Sequence, residues 1–372
     1  MLKFTLKTRE QVEDFVRGVT FYGTGGGGSY QRGIDLLMDQ IQKGHEVGWV
    51  EPERLQDDQY SCCPFLMGSL AGPDEETKRD MKATYDLDAP HVDETERMVR
   101  AVKGLEEKMG KKVSALIPIE LGGANAAACI SAAAELGIVV LDGDYTGRAI
   151  PEIVQITYNY NGHCLTPIAS VDEWGNECII KSAINPRTVE HIGKLISVAG
   201  YGLAGQAGMA LDGKNTRDTV IAGTLSQSYE AGKTMREAKE AGKDVVTELL
   251  AKFGGYELGR GTITVKDDYD AVGYYWGTVT VDCGENELKY WFKNENHVVW
   301  KNGEPYVTSP DIIAAVDLET GEPVPNPLSY VGQKVALIAM RCKPQQQNAT
   351  LLMPRYFGFD IDHIPVDEVM GK

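Results

Sequence analysis

The chain has 372 residues, 42% hydrophobic and 24% charged, which is enough apolar material for two packed domains and too little polar bias for a disordered chain. Its formal net charge of −17 argues against a nucleic-acid partner or an anionic membrane surface, though a locally basic site for an anionic small molecule stays open. The opening MLKFTLKTREQVEDF lacks the apolar core of a secretory signal. The most membrane-like run, LISVAGYGLAGQAGMAL at 195–211, is short and rich in Gly and Ala, so a cytoplasmic protein with a closely packed internal helix is expected.

In chain order, Thr8 and Gln11 form a capping box for an amphipathic helix over 9–18, with Val12, Phe15 and Val16 on one face. Val19–Tyr22 then reads as a short strand, followed by the glycine run of TFYGTGGGGSY and a helix, RGIDLLMDQIQKGH, closed by Gly44. EVGWVEPERL reads as a strand with its exit turn, and ETERMVRAVKGLEEKMG as a helix with Met98, Val99, Val102, Leu105 and Met109 inward. KVSALIPIELGGANAAACISAAAELGIVVLDGDYTG alternates strand, glycine turn and helix. That rhythm predicts a three-layer α/β domain around a mostly parallel sheet.

LTPIASVDEWGNECIIKS reads as a hairpin turning at Trp174-Gly175-Asn176. TVEHIGKLISVAGYGLAGQAGMAL and QSYEAGKTMREAKEAGKDVVTELLAKFGG return to helix. From about 256 onward the pattern turns β-rich, predicting a barrel or sandwich. The expected division is 1–255 and 256–372, with the hairpin at 166–184 a candidate to pack with the C-terminal part.

Three glycine-rich turns follow β-like runs: GTGGGGS, with Gly25, Gly26, Gly27 and Gly28; IPIELGGAN, with Gly122 and Gly123; and IVVLDGDYTGRAIPE, with Gly143. At the carboxyl edge of a parallel sheet they would surround one pocket, with bare backbone N–H groups near a ligand. A P-loop ending in GK[ST] is missing, and the GxGxxG match is of the kind a polyglycine run gives by accident, so a nucleotide site has little support. Asp142 and Asp144 flank a glycine and suit either water activation or a divalent cation, and they are expected to matter for chemistry more than for folding. Glu120 joins them as a catalytic candidate. Asn125, Arg148 and Glu152 complete a polar lining, and Asn294, Glu295 and Asn296 close it from the β-rich part, or else form a plain hairpin turn.

The seven cysteines are odd in number and lack a CxxC. Cys62 and Cys63, in CCPFLMGS, are nucleophile candidates if that stretch is a loop opposite the glycines. Nothing local ties His163 or His191 to them, and buried, inert thiols are the better reading.

Taken together, GTGGGGS, ELGGAN, VLDGDYTGRAIPE, WFKNENHVVW, SPDIIAAVDLETGEPV and MPRYFGFDIDHIPV resemble the S-methyl thiohydantoin desulfurase-like family, in the right order over nearly the whole chain. The resemblance implies an N-terminal α/β/α domain, a C-terminal β domain, and company with hydantoinase and oxoprolinase subunits. The activity it implies is hydrolytic removal of sulfur from a thiohydantoin ring. It supplies no residue roles, and Cys129 stands where relatives would carry a proline. Three readings follow: a hydrolase of a cyclic amide or thiohydantoin, with water activated by acidic residues or a divalent metal; a non-catalytic subunit or regulator of a hydantoinase- or oxoprolinase-type enzyme; and a nucleotide-binding protein. The acidic surface and the supposed helix at 195–211 suggest a homo-oligomer.

Overall fold

The computed structural model describes residues 2–68, 74–88, 91–200 and 202–371. The chain opens with β1 (Phe4–Leu6), α1 (Arg9–Tyr22), α2 (Tyr30–Gln42), β2 (Val47–Trp49), β3 (Tyr60–Met67), α3 (Glu75–Thr84) and α4 (Glu94–Met109). It continues through β4 (Ala115–Leu116), α5 (Asn125–Leu136), β5 (Val139–Val140), β6 (Gly143–Asp144), α6 (Thr157–Tyr160), β7 (Ile168–Val171), β8 (Glu177–Ile180) and α7 (Pro186–Ala199). Then come β9 (Ala204–Asp212), α8 (Gly213–Thr219), β10 (Ile221–Ala222), α9 (Thr224–Glu240) and α10 (Val245–Phe253). The strands β11 (Tyr256–Ala271), β12 (Tyr274–Asp282), β13 (Glu287–Lys293), β14 (Glu295–Lys301), β15 (Glu304–Thr308), β16 (Ile312–Asp317) and β17 (Lys334–Met340) follow, and α11 (Val366–Met370) ends the chain.

A six-stranded sheet ordered β5-β4-β3-β9-β7-β8 carries helices on both faces. It is mixed: β5-β4 and β4-β3 pair in parallel, whereas β9, β7 and β8 join antiparallel. Side chains alternate across it. Cys62 and Leu116 face a core built with α1, α2, α4, α5 and α9, while Cys63, Phe65 and Ile117 face a second core that takes in Ile150, Ile153 and Val189. The expected α/β part and β-rich part are both present. The latter is an antiparallel seven-stranded half-barrel, ordered β15-β14-β13-β12-β11-β17-β16, with its own core around Tyr290, Phe292 and Val299.

The first core runs on into the second sheet, where Ile312, Ala314 and Ile338 complete it beside α1 and α9. The two sheets therefore share apolar contacts.

Several local expectations change. Val19–Tyr22 is the last turn of α1 rather than a strand, so the glycine run joins two helices. Val12, Phe15, Val16, Val19 and Tyr22 keep helical spacing and are all buried. Packing overrides their β-propensity because α1 lies directly on α9: a β-carbon on Gly18 would fall 1.7 Å from the Ser228 carbonyl oxygen, and one on Gly232 1.8 Å from that of Asp14.

The supposed helix at 195–211 is split. α7 stops at Ala199, and Ala204–Asp212 forms β9 near the middle of the sheet. Its small residues serve close helix-on-sheet approach, since a β-carbon on Gly205 would lie 2.8 Å from the Arg97 carbonyl carbon of α4. The helical argument for self-association is thereby removed.

CCPFLM is strand β3 and not a loop; Ser69 lies outside the described residues. The hairpin at 166–184 belongs to the first sheet and not to the C-terminal one, because β7 pairs with β9. No helix among the described residues is long and apolar enough to cross a membrane.

Candidate functional site

Glycines 25 to 28 bring the connections before α2 and α5 into backbone contact. A β-carbon on Gly27 would meet the Gly122 α-carbon at 2.3 Å, and the Gly27 carbonyl accepts from the N–H groups of Ala124 (3.1 Å) and Asn125 (3.2 Å). Gly25 has φ +90° and packs on Asn326, whose N–H donates to the Gly25 carbonyl at 2.8 Å. At Gly26 the missing side chain leaves room for a carboxyl group, as a β-carbon there would lie 1.9 Å from Glu295 Oε1. Gly123 sits behind, its carbonyl 2.0 Å from a β-carbon on Gly33. The glycines therefore serve close packing of two turns and a buried acid from the other sheet.

A cavity of about 70 Å³ opens at this meeting point. Its apolar walls come from the end of β3 (Phe65, Leu66, Met67) and from Ile119, Ile150, Pro151, Ile153 and Leu203. Its polar lining is Glu120, Asn125, Lys194, Asn294 and Glu295, with Gly27 and Gly28 at the rim.

Glu120 is held from two sides: Asn125 Nδ2 donates to Oε1 and the Ile150 N–H to Oε2, both at 2.7 Å. Asn125 is itself oriented, because its Oδ1 accepts from the Leu66 N–H at 2.9 Å. Burial pushes the Glu120 carboxyl up to about 7, against the two hydrogen bonds that favour its charge. Glu295 is pushed well above the usual carboxylate range, first by burial and then by Glu120, with Arg148 and Lys194 opposing. Its Oε2 is buried without a hydrogen-bond partner among the described residues. The pair titrates as a unit, with Glu120 the member that ionises near neutrality.

The structure brings Gly27, Gly28, Glu120, Asn125, Asn294 and Glu295 of the expected set to one cavity, and Gly26, Gly122 and Gly123 stand behind them. The polar NEN stretch is buried and not an exposed turn. Asn294 takes φ +57°, which swings Glu295 into the cavity. Asn296 instead fastens loops, with Nδ2 donating to the Ile313 carbonyl and Oδ1 accepting from Asn326, both at 2.9 Å.

Of the third glycine turn, only its far end reaches the cavity, through Ile150 and Pro151; Gly143 and its two aspartates do not join the other turns there. Gly143 sits in the β6–β10 pair, packed on Val220 and Ile221. Asp142 lies outside the cavity and holds α9, its Oδ2 accepting from Ser226 Oγ at 2.6 Å and its Oδ1 from the Ser226 N–H at 3.0 Å. Asp144 organises its own turn: Oδ2 accepts from the N–H groups of Thr146 (3.0 Å) and Gly147 (2.8 Å).

Arg148 spends every N–H on loops. It donates to the carbonyls of Ala149, Pro310, Asp311 and Asn296 and to the Thr24 hydroxyl, which leaves no donor for a ligand. Glu152 is paired with Lys293 and accepts from the Tyr356 hydroxyl at 2.5 Å.

Neither Cys62 nor Cys63 suits a nucleophile: both thiols are fully buried, and burial raises them. Among the described residues no group of three or more His, Cys, Asp or Glu side chains is arranged to hold a metal ion.

Two family models cover almost the entire chain: the S-Me-THD-like N-terminal domain matches residues 10–182 and the S-Me-THD-like C-terminal domain residues 184–366. The chain belongs to the S-Me-THD-like family. The junction between the two models precedes β9, so the S-Me-THD-like C-terminal segment supplies a strand to the first sheet. The crystal structure of a protein from Chromobacterium violaceum matches with a TM-score of 0.78 at 20% identity, over 98% of this chain and 100% of the other, which establishes a shared fold. No curated protein matches.

Lys194 is the cavity residue that sequence reasoning missed. The signal available was the i, i+4 pair Glu190 and Lys194 on α7, a spacing usual for exposed helix faces that here is buried on both members.

Proposed function

We propose that the protein is a hydrolase of a small cyclic amide or thioimidate ring of the S-methyl thiohydantoin type. The observation that carries this reading is the presence of two carboxyl groups in one small, apolar-walled cavity, one ionising near neutrality and the other held protonated. The mostly apolar walls with a few convergent polar groups suit a small ring with polar edges.

Glu120 in its ionised form takes a proton from water, and the water oxygen bonds to the ring carbon bearing sulfur. The carbon–nitrogen double bond opens to a tetrahedral intermediate. On collapse the carbon–sulfur bond breaks, and methanethiol leaves with a proton from Glu295. The ring keeps the new oxygen as a carbonyl and the remaining water proton on nitrogen, and the proton held by Glu120 passes to Glu295, so one water is consumed for each thiol released and both acids are reset.

The test is incubation of the isolated chain with S-methyl thiohydantoins, with thiol release and ring absorbance as readouts. Turnover is expected to rise with pH through about 7, as Glu120 ionises, and to fall at higher pH as Glu295 loses its proton. Glu120→Gln should lower kcat by about 10²-fold or more, the loss expected of a general base. Absence of thiol release by the isolated chain across such rings would defeat the reading and favour a non-catalytic subunit.

A further inference from the structure

Lys194 is buried and lines the cavity beside Glu120 and Glu295. One ammonium N–H is committed, to the Gly68 carbonyl at 3.0 Å, and the charge also sits 4.3 Å from the centre of the Tyr274 ring. Glu190, one helical turn earlier, does not complete its shell. That carboxylate is engaged elsewhere, its Oε2 accepting from the Ile153 N–H and its Oε1 from the Tyr274 hydroxyl, both at 2.7 Å.

An ammonium carries three donors, and a buried cation left short of acceptors is costly. On the cavity side Glu295 Oε2 is buried without a hydrogen-bond partner among the described residues. Among the described residues, a donor of Lys194 and a carboxyl oxygen of Glu295 thus stay unfilled in one cavity, and a ligand rich in acceptors suits both, since the protonated Glu295 also donates.

We propose that Lys194 donates to the ring carbonyl oxygen of the substrate and stabilises the negative charge that reaches it during water attack. The inference rests on the hydrolase reading above. Attack at the sulfur-bearing carbon drives an electron pair onto the adjacent ring nitrogen. Because that nitrogen is also bonded to the ring carbonyl, the charge spreads to the carbonyl oxygen. A fixed ammonium there binds the transition state more strongly than the neutral ring, which is the condition for raising kcat. The substrate class narrows accordingly: the attacked carbon and a ring carbonyl must share one nitrogen, so a cyclic thioimidate without that carbonyl is a poor substrate.

The experiment compares wild-type protein and Lys194→Met on two rings, an S-methyl thiohydantoin and 2-(methylthio)imidazoline, which lacks the carbonyl. On the thiohydantoin, Lys194→Met is expected to lose about 10²–10³-fold in kcat with KM changed far less, the size seen when one oxyanion donor is removed. On the imidazoline the two proteins should differ by less than about 10-fold, because the coupling between the lysine and the carbonyl is gone. Lys194→Arg, which keeps the charge, should recover part of the rate and guards against loss by misfolding alone. Equal losses on both rings, or full kcat in Lys194→Met, would overturn the role of Lys194 while leaving the hydrolase standing. A wild-type protein inactive on every ring would overturn both.

Discussion

At the residue scale, two acidic side chains show how burial and partners divide roles. Asp142 spends both oxygens on Ser226, in the first turn of α9, where a negative charge also meets the positive end of the helix. Asp142→Asn is therefore expected to cost about 1–2 kcal/mol of stability, as for a lost charge-assisted cap, while kcat per folded molecule stays within about twofold; denaturant melts and thiol-release kinetics would check both. Glu120 is different, since burial pushes its carboxyl up to about 7 from its ordinary value of 4.5. An acid whose folded pKa is raised binds protons more tightly in the native state, so its contribution to stability is present below 4.5 and is lost as pH rises towards about 7. Wild-type Tm should fall across that window. Glu120→Gln, which cannot ionise, should flatten the fall with pH, as calorimetry across pH 4 to 8 would show.

At the scale of elements, the glycine run is a packing device. Gly27 holds φ +74° with its α-carbon against Gly122, so a methyl group there meets backbone that cannot move aside. Gly27→Ala is expected to cost about 2–4 kcal/mol, combining left-handed strain with overpacking, and to impair the cavity. Gly44 is the control: it holds φ +84° with nothing within 4 Å of a β-carbon, so Gly44→Ala should cost only about 1 kcal/mol. Equal losses for the two variants would mean that conformation alone, and not the contact with Gly122, explains the glycine. The same logic governs α1 and α9, where Gly18 and Gly232 let backbones touch and so extend α1 through residues that favour strands.

At the scale of the whole molecule, the cavity is shared between the two sheets. Glu120 and Asn125 come from the α/β part, Glu295 from β14, and Lys194 from α7. Arg148 ties the pieces together. It reaches the Thr24 hydroxyl beside the glycine run, the Asn296 carbonyl beside Glu295, and the Pro310 and Asp311 carbonyls before β16. Burial lowers its guanidinium to about 10, which leaves it charged at neutral pH. Arg148→Met should cost about 3–5 kcal/mol, as expected when one member of a buried charged network is removed and its acceptors are left unpaired. The surviving folded protein should have a weakened site because Glu295 is no longer held. A melt together with ligand-free hydrogen exchange at 294–296 would show whether both losses occur.

The local sequence determined elements whose signals lie within a few residues. The Thr8–Gln11 capping box starts α1, the apolar stripe of 94–109 forms α4, Trp174–Asn176 turns the β7–β8 hairpin, and alternation after 256 builds the antiparallel sheet. It also marked Glu120, Asn125 and the NEN stretch as polar groups among apolar neighbours, because a buried polar group needs a reason that local pattern alone does not supply. Only the tertiary structure decided which candidates meet. Asp142 and Asp144 lie on a glycine turn that looked like the other two, yet β10 and α9 draw them away from the cavity. Residues 204–212 read as helix because Gly and Ala leave helix and strand nearly equal in local terms, and the close approach of α4 across Gly205 tips them to strand. Lys194 gave no local signal beyond an i, i+4 pair, since the burial of an ammonium beside Glu120 and Glu295 is a property of segments that meet only when the chain folds.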